Sequence, residues 1–356
     1  MVRLIRLITA IALGMTAYDA CLAQNVENFV VGHGERLLVL APHPDDETLS
    51  AAGLIQQVLA QGGSVRSVVV TSGDAYVEAI EEATGKDHLG RADFIRYGEK
   101  RLDESRHAAH LLGKGFIHLD LLGYSDGSIY AMLVSHWLRS HPDRSEFTGF
   151  NHVPYREAED RGIAQDGEDL RNELVAILSE NKPTIVVFPD VMENDSDHAG
   201  LGMFALLAIN DWLENAQPHP YPSRLRLLAY LIHWQNDWPP GANADKPIDS
   251  SDVPLFLPAD LPLRGHSRSC INLSKPEIKL KQQALELYQT QQRAMAPFLE
   301  AFVHTNECFT QLNLADTLGI PNVVKQWQHA RKAFNSHPIT RWRILARGGR
   351  DRAGQG

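Results

Sequence analysis

The stretch from Arg36 to Glu47, which reads RLLVLAPHPDDE, decides the predicted fold of this chain. Its first half, Arg36–Ala41, is a short apolar run typical of a buried strand, and Glu47–Ala60 has the spacing of a helix. A strand, a polar turn and a helix in this order predict the repeating unit of a parallel sheet. The polar turn therefore lies at the carboxyl end of a strand, where open α/β sheets form their ligand sites.

The same alternation continues along the chain. Further strands are predicted at Ser64–Thr71, Phe116–Leu119, Thr184–Phe188 and Leu225–His233, and further helices at Glu99–Leu112, Glu168–Glu180 and His198–Glu214. A last helical region, Lys275–Glu307, is expected to break near Pro297. Ser128–Gln165 and Trp234–His266 interrupt the pattern and are interpreted as loops over one end of the sheet. The predicted fold class is α/β, with a Rossmann-like, mostly parallel sheet and helices on both faces.

The first residues of the chain have the features of an export signal. Arg3 and Arg6 precede a short apolar run, and small residues before Gln24 offer a cleavage site. The run is shorter than the ~20 apolar residues that a helix needs to cross a bilayer. We expect residues 1–23 to be a cleaved signal peptide and the protein to be exported, either periplasmic or secreted. An uncleaved anchor is the alternative.

Residues 24–320 are expected to form the α/β domain, and residues 321–356 a C-terminal extension whose last residues fray. The net charge of −10 argues against a nucleic-acid partner. A basic cluster in the extension is expected to be solvated, with contact to an anionic membrane as an open alternative; it comprises Arg341, Arg343, Arg347, Arg350 and Arg352. After removal of the signal peptide Cys270 and Cys308 remain, and they could pair in an oxidising compartment.

Two strand ends carry residues suited to a metal. His43, Asp45 and Asp46 follow the first predicted strand, and Asn194–His198 follows the strand at Thr184–Phe188. Two such ends at one edge of a sheet can converge on one ion, and imidazole and carboxylate suit zinc. A catalytic zinc usually has three protein ligands, a number that two histidines and one aspartate would satisfy. Acidic residues are also favoured at helix N-termini, so the first turn alone could be no more than a helix start.

These motifs resemble the PIG-L/LmbE family of zinc-dependent N-deacetylases. The family's first signature is matched by Pro42–Glu47, with Pro42 in place of the usual Ala. Four further elements follow in the family's order: a Thr-x-Gly turn, an Arg-x-x-Glu…Leu-Gly helix, a Gly-Tyr-Pro-Asp-Gly loop and a late Tyr/His-x-Ser-Gln element. They correspond to Thr71–Asp74, to Arg101–Glu104 with Leu111–Gly113, to Leu122–Gly127 and to Tyr288–Gln291.

The resemblance implies an LmbE-like fold and a set of roles for the site residues. It implies that His43, Asp46 and His198 bind one zinc ion per chain, that Asp45 is the general base, and that Arg101 and Asp126 line the sugar pocket. The implied reaction is hydrolysis of the acetamide of an N-acetylated amino sugar, of N-acetylglucosamine type, on a glycan or glycoconjugate. Another metal-dependent amidase acting on an exported small molecule, or a non-catalytic carbohydrate-binding relative, is the alternative.

One position departs from the family pattern. Family members often have His-x-Asp-His at the second strand end, where the first His assists the oxyanion, and this chain has Asp195 there. An ionised carboxylate cannot stabilise an oxyanion. His233, at the end of a later predicted strand, is the candidate substitute, with a satisfied histidine at the core edge as the other interpretation. Asp197 is expected to orient His198 or a neighbouring ligand.

Overall fold

The computed structural model describes residues 26–215, 225–235, 238–262 and 266–313. The predicted signal peptide, the predicted C-terminal extension and its basic cluster lie outside these ranges. Within them, no helix combines the length and the apolar character that a bilayer crossing requires.

The described residues form one sheet of eight strands, in the order β1-β7-β8-β6-β5-β2-β3-β4. Neighbouring strands are parallel except at β8, which is antiparallel to both β6 and β7. The strands are β1 (Val26–Asn28), β2 (Arg36–Ala41), β3 (Ser64–Thr71), β4 (Ile117–Tyr124), β5 (Ile185–Pro189), β6 (Arg226–Tyr230), β7 (Ser267–Asn272) and β8 (Asn306–Leu312). The predicted mostly parallel sheet is confirmed.

Helices cover both faces of this sheet. Those described are α1 (Asp46–Ala60), α2 (Val77–Thr84), α3 (Arg91–Gly113), α4 (Ser128–Val134), α5 (Gly167–Asn181), α6 (Ser196–Asn215), α7 (Lys275–Leu285) and α8 (Gln289–Glu300). Leu38 and Leu40 of β2 belong to one core with α5 and α6, and Leu37 and Val39 belong to another with α1 and α7. Because both faces of β2 are buried, its sequence is apolar throughout rather than alternating.

The predicted boundaries agree with the structure best in the parallel half of the sheet. The strands predicted at Arg36–Ala41 and Ser64–Thr71 are observed with those bounds. The prediction of one helical region over Lys275–Glu307 was wrong in extent, because α7 and α8 are separated by a turn and β8 begins at Asn306. The expected break is present as non-helical backbone at Met295, since Pro297 lacks the N–H of a regular helix.

Two further differences concern short elements. The predicted loop Ser128–Gln165 begins with the short helix α4. Strand β7 had no apolar pattern to indicate it, and it pairs with β8 so that Cys270 lies directly opposite Cys308. These two cysteines form a disulfide, a pairing that the sequence had left open.

Candidate active site

The turn between β2 and α1 has an unusual backbone. Asp45 has φ 120° and ψ −31°, in a region that residues with a side chain rarely adopt. Such a conformation costs roughly 1–3 kcal/mol and persists only where surrounding contacts hold it. Here the Asp45 backbone N–H donates to Glu47 Oε2 at 3.1 Å, and the Asp45 carbonyl accepts from Thr48 and Leu49 at the start of α1.

The carboxyl ends of β2 and β5 bring the three predicted ligands together. His198 Nε2 lies 3.2 Å from Asp46 Oδ2, and His43 Nδ1 lies 3.3 Å from the same oxygen. Ligand atoms of the three residues all lie within 4.8 Å of one another. The parallel pairing of the two strands places the turn after β2 beside the start of α6, as the sequence predicted.

Carboxylates face the other nitrogens of both histidines. His43 Nε2 lies 3.3 Å from Asp126 Oδ1 and 3.5 Å from Asp197 Oδ2. His198 Nδ1 lies 3.6 Å from Glu193 Oε1. Histidines that bind a metal usually present their second nitrogen to such a partner, which fixes the tautomer and the ring orientation. Asp197 thus approaches His43 rather than His198.

The residues present fit a divalent metal such as zinc. His198 Nε2, the nitrogen that faces Asp46, is buried and has no hydrogen-bond partner, which is costly for a polar atom unless an ion or water satisfies it. Two imidazoles and one carboxylate are a donor set that catalytic zinc uses. His43, Asp126 and Asp197 also cluster, but the backbone N–H groups of Gly127 and Ile129 already occupy the Asp197 carboxylate.

Asp45 and its neighbour Asp46 have opposite electrostatic surroundings. Burial raises the pKa of Asp45 to about 8, helped by the charges of Asp46 and Glu47 and opposed by Arg101. Burial would also raise the pKa of Asp46, but the charges of the nearby His198 and His43 rings outweigh it and hold that pKa well below its usual range.

Arg101 lies beneath the turn and is almost fully buried. Its Nη2 donates to the Pro44 carbonyl at 2.7 Å and to Asp45 Oδ2 at 3.2 Å, and Nη1 donates to the Gly73 carbonyl at 2.9 Å. The structure therefore brings Arg101 to the predicted base. Its contact with a sugar stays a prediction.

Asp126 is held on a braced loop after β4. Its backbone N–H donates to Asp74 Oδ1 at 2.9 Å, and its Oδ2 accepts from the Ala75 N–H at 3.3 Å. Asp74 also accepts a hydrogen bond from the Tyr155 hydroxyl. The two loops after β3 and β4 are thus tied together, and Asp126 is placed beside His43.

Asp195, the position that departs from the family pattern, caps a helix. Its Oδ1 accepts from the backbone N–H groups of Asp197 at 2.8 Å and His198 at 3.2 Å, at the start of α6. His233 lies next to His198, with ring centroids 4.7 Å apart and planes at 85°. Burial and the nearby charge of His198 lower the pKa of His233 to about 4, so its ring is neutral.

Glu193 is a site residue that the sequence interpretation missed. It is buried, and its oxygens accept from the backbone N–H groups of Ile232 and His233 while facing His198. Burial is the main cause that raises its pKa to about 7. The position of Glu193 shortly after β5, at the same edge of the sheet as the predicted ligands, is the sequence feature that could have indicated it.

A mostly parallel α/β sheet carries this cluster of histidines and carboxylates at its carboxyl edge, where it forms a candidate metal centre. Residues 38–209 match the PIG-L family, described as GlcNAc-PI de-N-acetylase. This span of the chain is similar to that family, and the match supports N-deacetylation as the reaction class. The span contains the site residues described above except His233, which lies beyond it. The predicted resemblance to this family is confirmed over residues 38–209.

Solved structures with similar folds have low sequence identity. The chain is 20% identical to the conserved protein TT1542 from Thermus thermophilus, over 78% of this chain and 94% of that one, with a TM-score of 0.43. It is 18% identical to the A40926 pseudoaglycone deacetylase Dbv21, over 78% and 97%, with a TM-score of 0.45. It is 18% identical to the N,N'-diacetylchitobiose deacetylase from Pyrococcus horikoshii, over 79% and 85%, with a TM-score of 0.45. No curated protein sequence matches the chain.

Proposed function

We propose that this protein is a zinc-dependent N-deacetylase that hydrolyses the acetamide of an N-acetylated amino sugar. The observation that carries the proposal is the cluster of His43, Asp46 and His198, in which the buried His198 Nε2 lacks a hydrogen-bond partner, with Asp45 beside it. The three side chains would hold the metal. Bound zinc would lower the pKa of a water molecule to about 7 and polarise the acetamide carbonyl.

Asp45 is the general base in this proposal. Its carboxylate accepts the proton of the attacking water and returns that proton to the nitrogen of the leaving amine. Arg101 holds the carboxylate in place through Asp45 Oδ2 while it also anchors the carbonyls of Pro44 and Gly73. Asp126 and Asp197 fix the His43 ring, and Glu193 fixes the His198 ring.

His233 is the proposed donor to the developing oxyanion, in place of the histidine that the family often has at position 195. Two observations support this role. The His233 ring is next to His198, and it is neutral, so that it carries an N–H without requiring a charge. Asp195 cannot supply this hydrogen bond, because the positive charge of the site and the backbone N–H of His198 outweigh its burial, lower its pKa to about 2 and keep it ionised.

The proposed substrate is an N-acetylglucosamine-type group on an exported glycan or glycoconjugate. The family's description supports a sugar of this type. Export is proposed from the basic and apolar start of the chain and is supported by the disulfide between Cys270 and Cys308, since disulfides persist mainly in oxidising compartments. Outside the cytoplasm a polymeric or lipid-linked sugar is a more available substrate than an activated monosaccharide.

Metal content and amine release test the proposal together. The mature protein is analysed for bound metal, and release of acetate and free amine is followed on a panel of N-acetylated sugars before and after chelation. One equivalent of zinc, with release only by the loaded form, is the expected result. Zinc without any release would favour the carbohydrate-binding alternative, and release from a non-sugar amide alone would favour the other amidase. Absence of metal binding would overturn the proposal.

A further inference from the structure

The strained backbone of Asp45 is held by a pair of buried side chains that the mechanism above does not use. Glu47 Oε2 accepts from the Asp45 N–H at 3.1 Å, and Glu47 Oε1 accepts from the Tyr288 hydroxyl at 2.7 Å. Both side chains are almost completely buried. The Tyr288 hydroxyl is therefore linked to the backbone of Asp45 through a single carboxylate.

The hydrogen bonding of this hydroxyl is complete. It donates its proton to Glu47, and the Thr48 hydroxyl, 2.9 Å away, is then the donor to the phenolic oxygen. A carboxylate that accepts from a tyrosine on one oxygen cannot rotate without breaking a buried hydrogen bond, which fixes its other oxygen below the Asp45 N–H.

Tyr288 is fixed independently of the active-site turn. It lies between α7 and α8, where its carbonyl accepts from the N–H groups of Gln291 and Gln292. The adjacent Thr290 donates its backbone N–H and its hydroxyl to Glu104 of α3. The hydroxyl that reaches Glu47 thus belongs to a segment braced against a second helix rather than to a free loop.

We propose that Tyr288 is a positioning residue, which acts through Glu47 to hold Asp45 in the positive-φ conformation that its role as base requires. The proposal rests on the proposed function, because it assigns no chemistry to Tyr288 itself. This role explains why the Tyr288 hydroxyl reaches Glu47 at the start of α1, although the two residues are 241 positions apart in the sequence.

The test compares Tyr288→Phe with a matched control, Tyr124→Phe. Tyr124 is also a fully buried tyrosine that donates to a carboxylate, Glu173, but its hydroxyl is directed toward α5. For Tyr288→Phe we expect kcat on the active N-acetylated sugar to fall about tenfold or more, with KM and zinc stoichiometry unchanged. Tyr124→Phe is expected to keep the parent kcat even if its stability falls equally.

Crystal structures of the parent and of Tyr288→Phe test the geometry without any substrate. The expected result is that the Glu47 carboxylate leaves the Asp45 N–H and that Asp45 relaxes from φ near 120°. If Tyr288→Phe does not fold, Thr48→Val is measured in its place. This variant removes only the hydroxyl that donates to the phenolic oxygen, so we expect a smaller loss of kcat. An unchanged Asp45, or parent kcat in the folded variant, would overturn the proposal. An inactive parent with the expected structural change would instead count against the proposed function alone.

Discussion

Two neighbouring aspartates of the active-site turn ionise differently because their side chains enter different surroundings. Asp45 is buried beside Arg101, near two other carboxylates, and its pKa rises to about 8. Asp46 lies between two imidazoles, which hold its pKa well below its usual range despite burial. Carboxylates with pKa values pushed apart in this way suit separate roles, one exchanging a proton near neutral pH and the other staying an anionic ligand.

Asp45→Asn tests the base at the residue scale. The amide keeps the shape of the side chain but cannot accept the proton of water, so acetate release should fall at least about 100-fold. Zinc stoichiometry should stay the same, because the Asp45 carboxylate faces Arg101 rather than the ligand trio. Steady-state rates and metal analysis check both points, with the exposed Asp103→Asn as control. Full activity in Asp45→Asn would show that another group is the base.

Glu193→Gln tests whether Glu193 orients His198, one of the proposed metal ligands. The Glu193 carboxylate uses both of its oxygens as acceptors, whereas the glutamine amide has only one acceptor oxygen. The amide therefore cannot accept from the N–H groups of Ile232 and His233 while also facing His198. We expect zinc affinity to fall roughly 10- to 100-fold, measured by competition with a chromogenic chelator. Glu173→Gln, at the glutamate that binds Tyr124, is the matched control. Equal affinities in the two variants would mean that Glu193 does not support His198.

At the scale of elements, the start of α6 shows how one position can change its use. Asp195 accepts from the second and third N–H groups of the helix, which is the pattern of an N-cap. The negative side chain also suits the positive end of the helix dipole. A residue placed for this purpose positions His198 through the helix backbone, and in the proposed reaction the oxyanion contact comes from another element.

Asp195→Ala should therefore lower the free energy of unfolding by about 1 kcal/mol, the usual value of a lost N-cap. Asp195→Ser, which keeps a capping oxygen, should retain most of that stability. Urea unfolding of the zinc-free proteins measures the difference without interference from metal binding. The cap assignment fails if the alanine variant is as stable as the parent.

The disulfide stabilises the antiparallel part of the sheet. Cys270 of β7 and Cys308 of β8 lie opposite each other, with a sequence separation of 38 residues. The double variant Cys270→Ala/Cys308→Ala should lose roughly 2–4 kcal/mol of stability, because the unfolded chain regains the freedom that the closed loop removed. Denaturant unfolding measures the loss, and added reductant should destabilise the parent but not the variant. A parent insensitive to reductant would contradict this expectation.

At the scale of the whole molecule, the three proposed metal ligands join two separate βα units. His43 and Asp46 come from the β2–α1 turn, whereas His198 comes from α6, which follows β5. Arg101 and Asp126 come from α3 and the loop after β4. A metal held by these groups binds the folded chain and not the unfolded one, so it should couple to global stability.

Zinc should consequently raise the unfolding free energy by about 2.7 kcal/mol when the free ion is at 100 times its Kd. Thermal or urea unfolding in zinc buffers checks this gain. His43→Ala should lose most of it, whereas His107→Ala, at an exposed histidine of α3, should keep it. A gain of equal size in both variants would place the zinc elsewhere on the chain.

The parallel core and the edge at which the site forms could both be predicted from the order of the residues. Strand β2 could be predicted to the residue because a strand buried on both faces must be apolar throughout. His43, Asp46 and His198 could be selected because they follow strand ends, and the carboxyl ends of parallel strands meet at one edge. The family resemblance then supplied which aspartate has which expected role.

How these groups are supported depends on contacts that form in the folded chain. Glu193 beneath His198, Asp195 as a helix cap, and Tyr288 behind Glu47 were not predicted, and neither was β7 beside β8. The physical reason is common to them. Local spacing indicates which residues leave a strand together, but the partner of a buried polar group is selected by packing between segments far apart in sequence, and no local pattern records that choice.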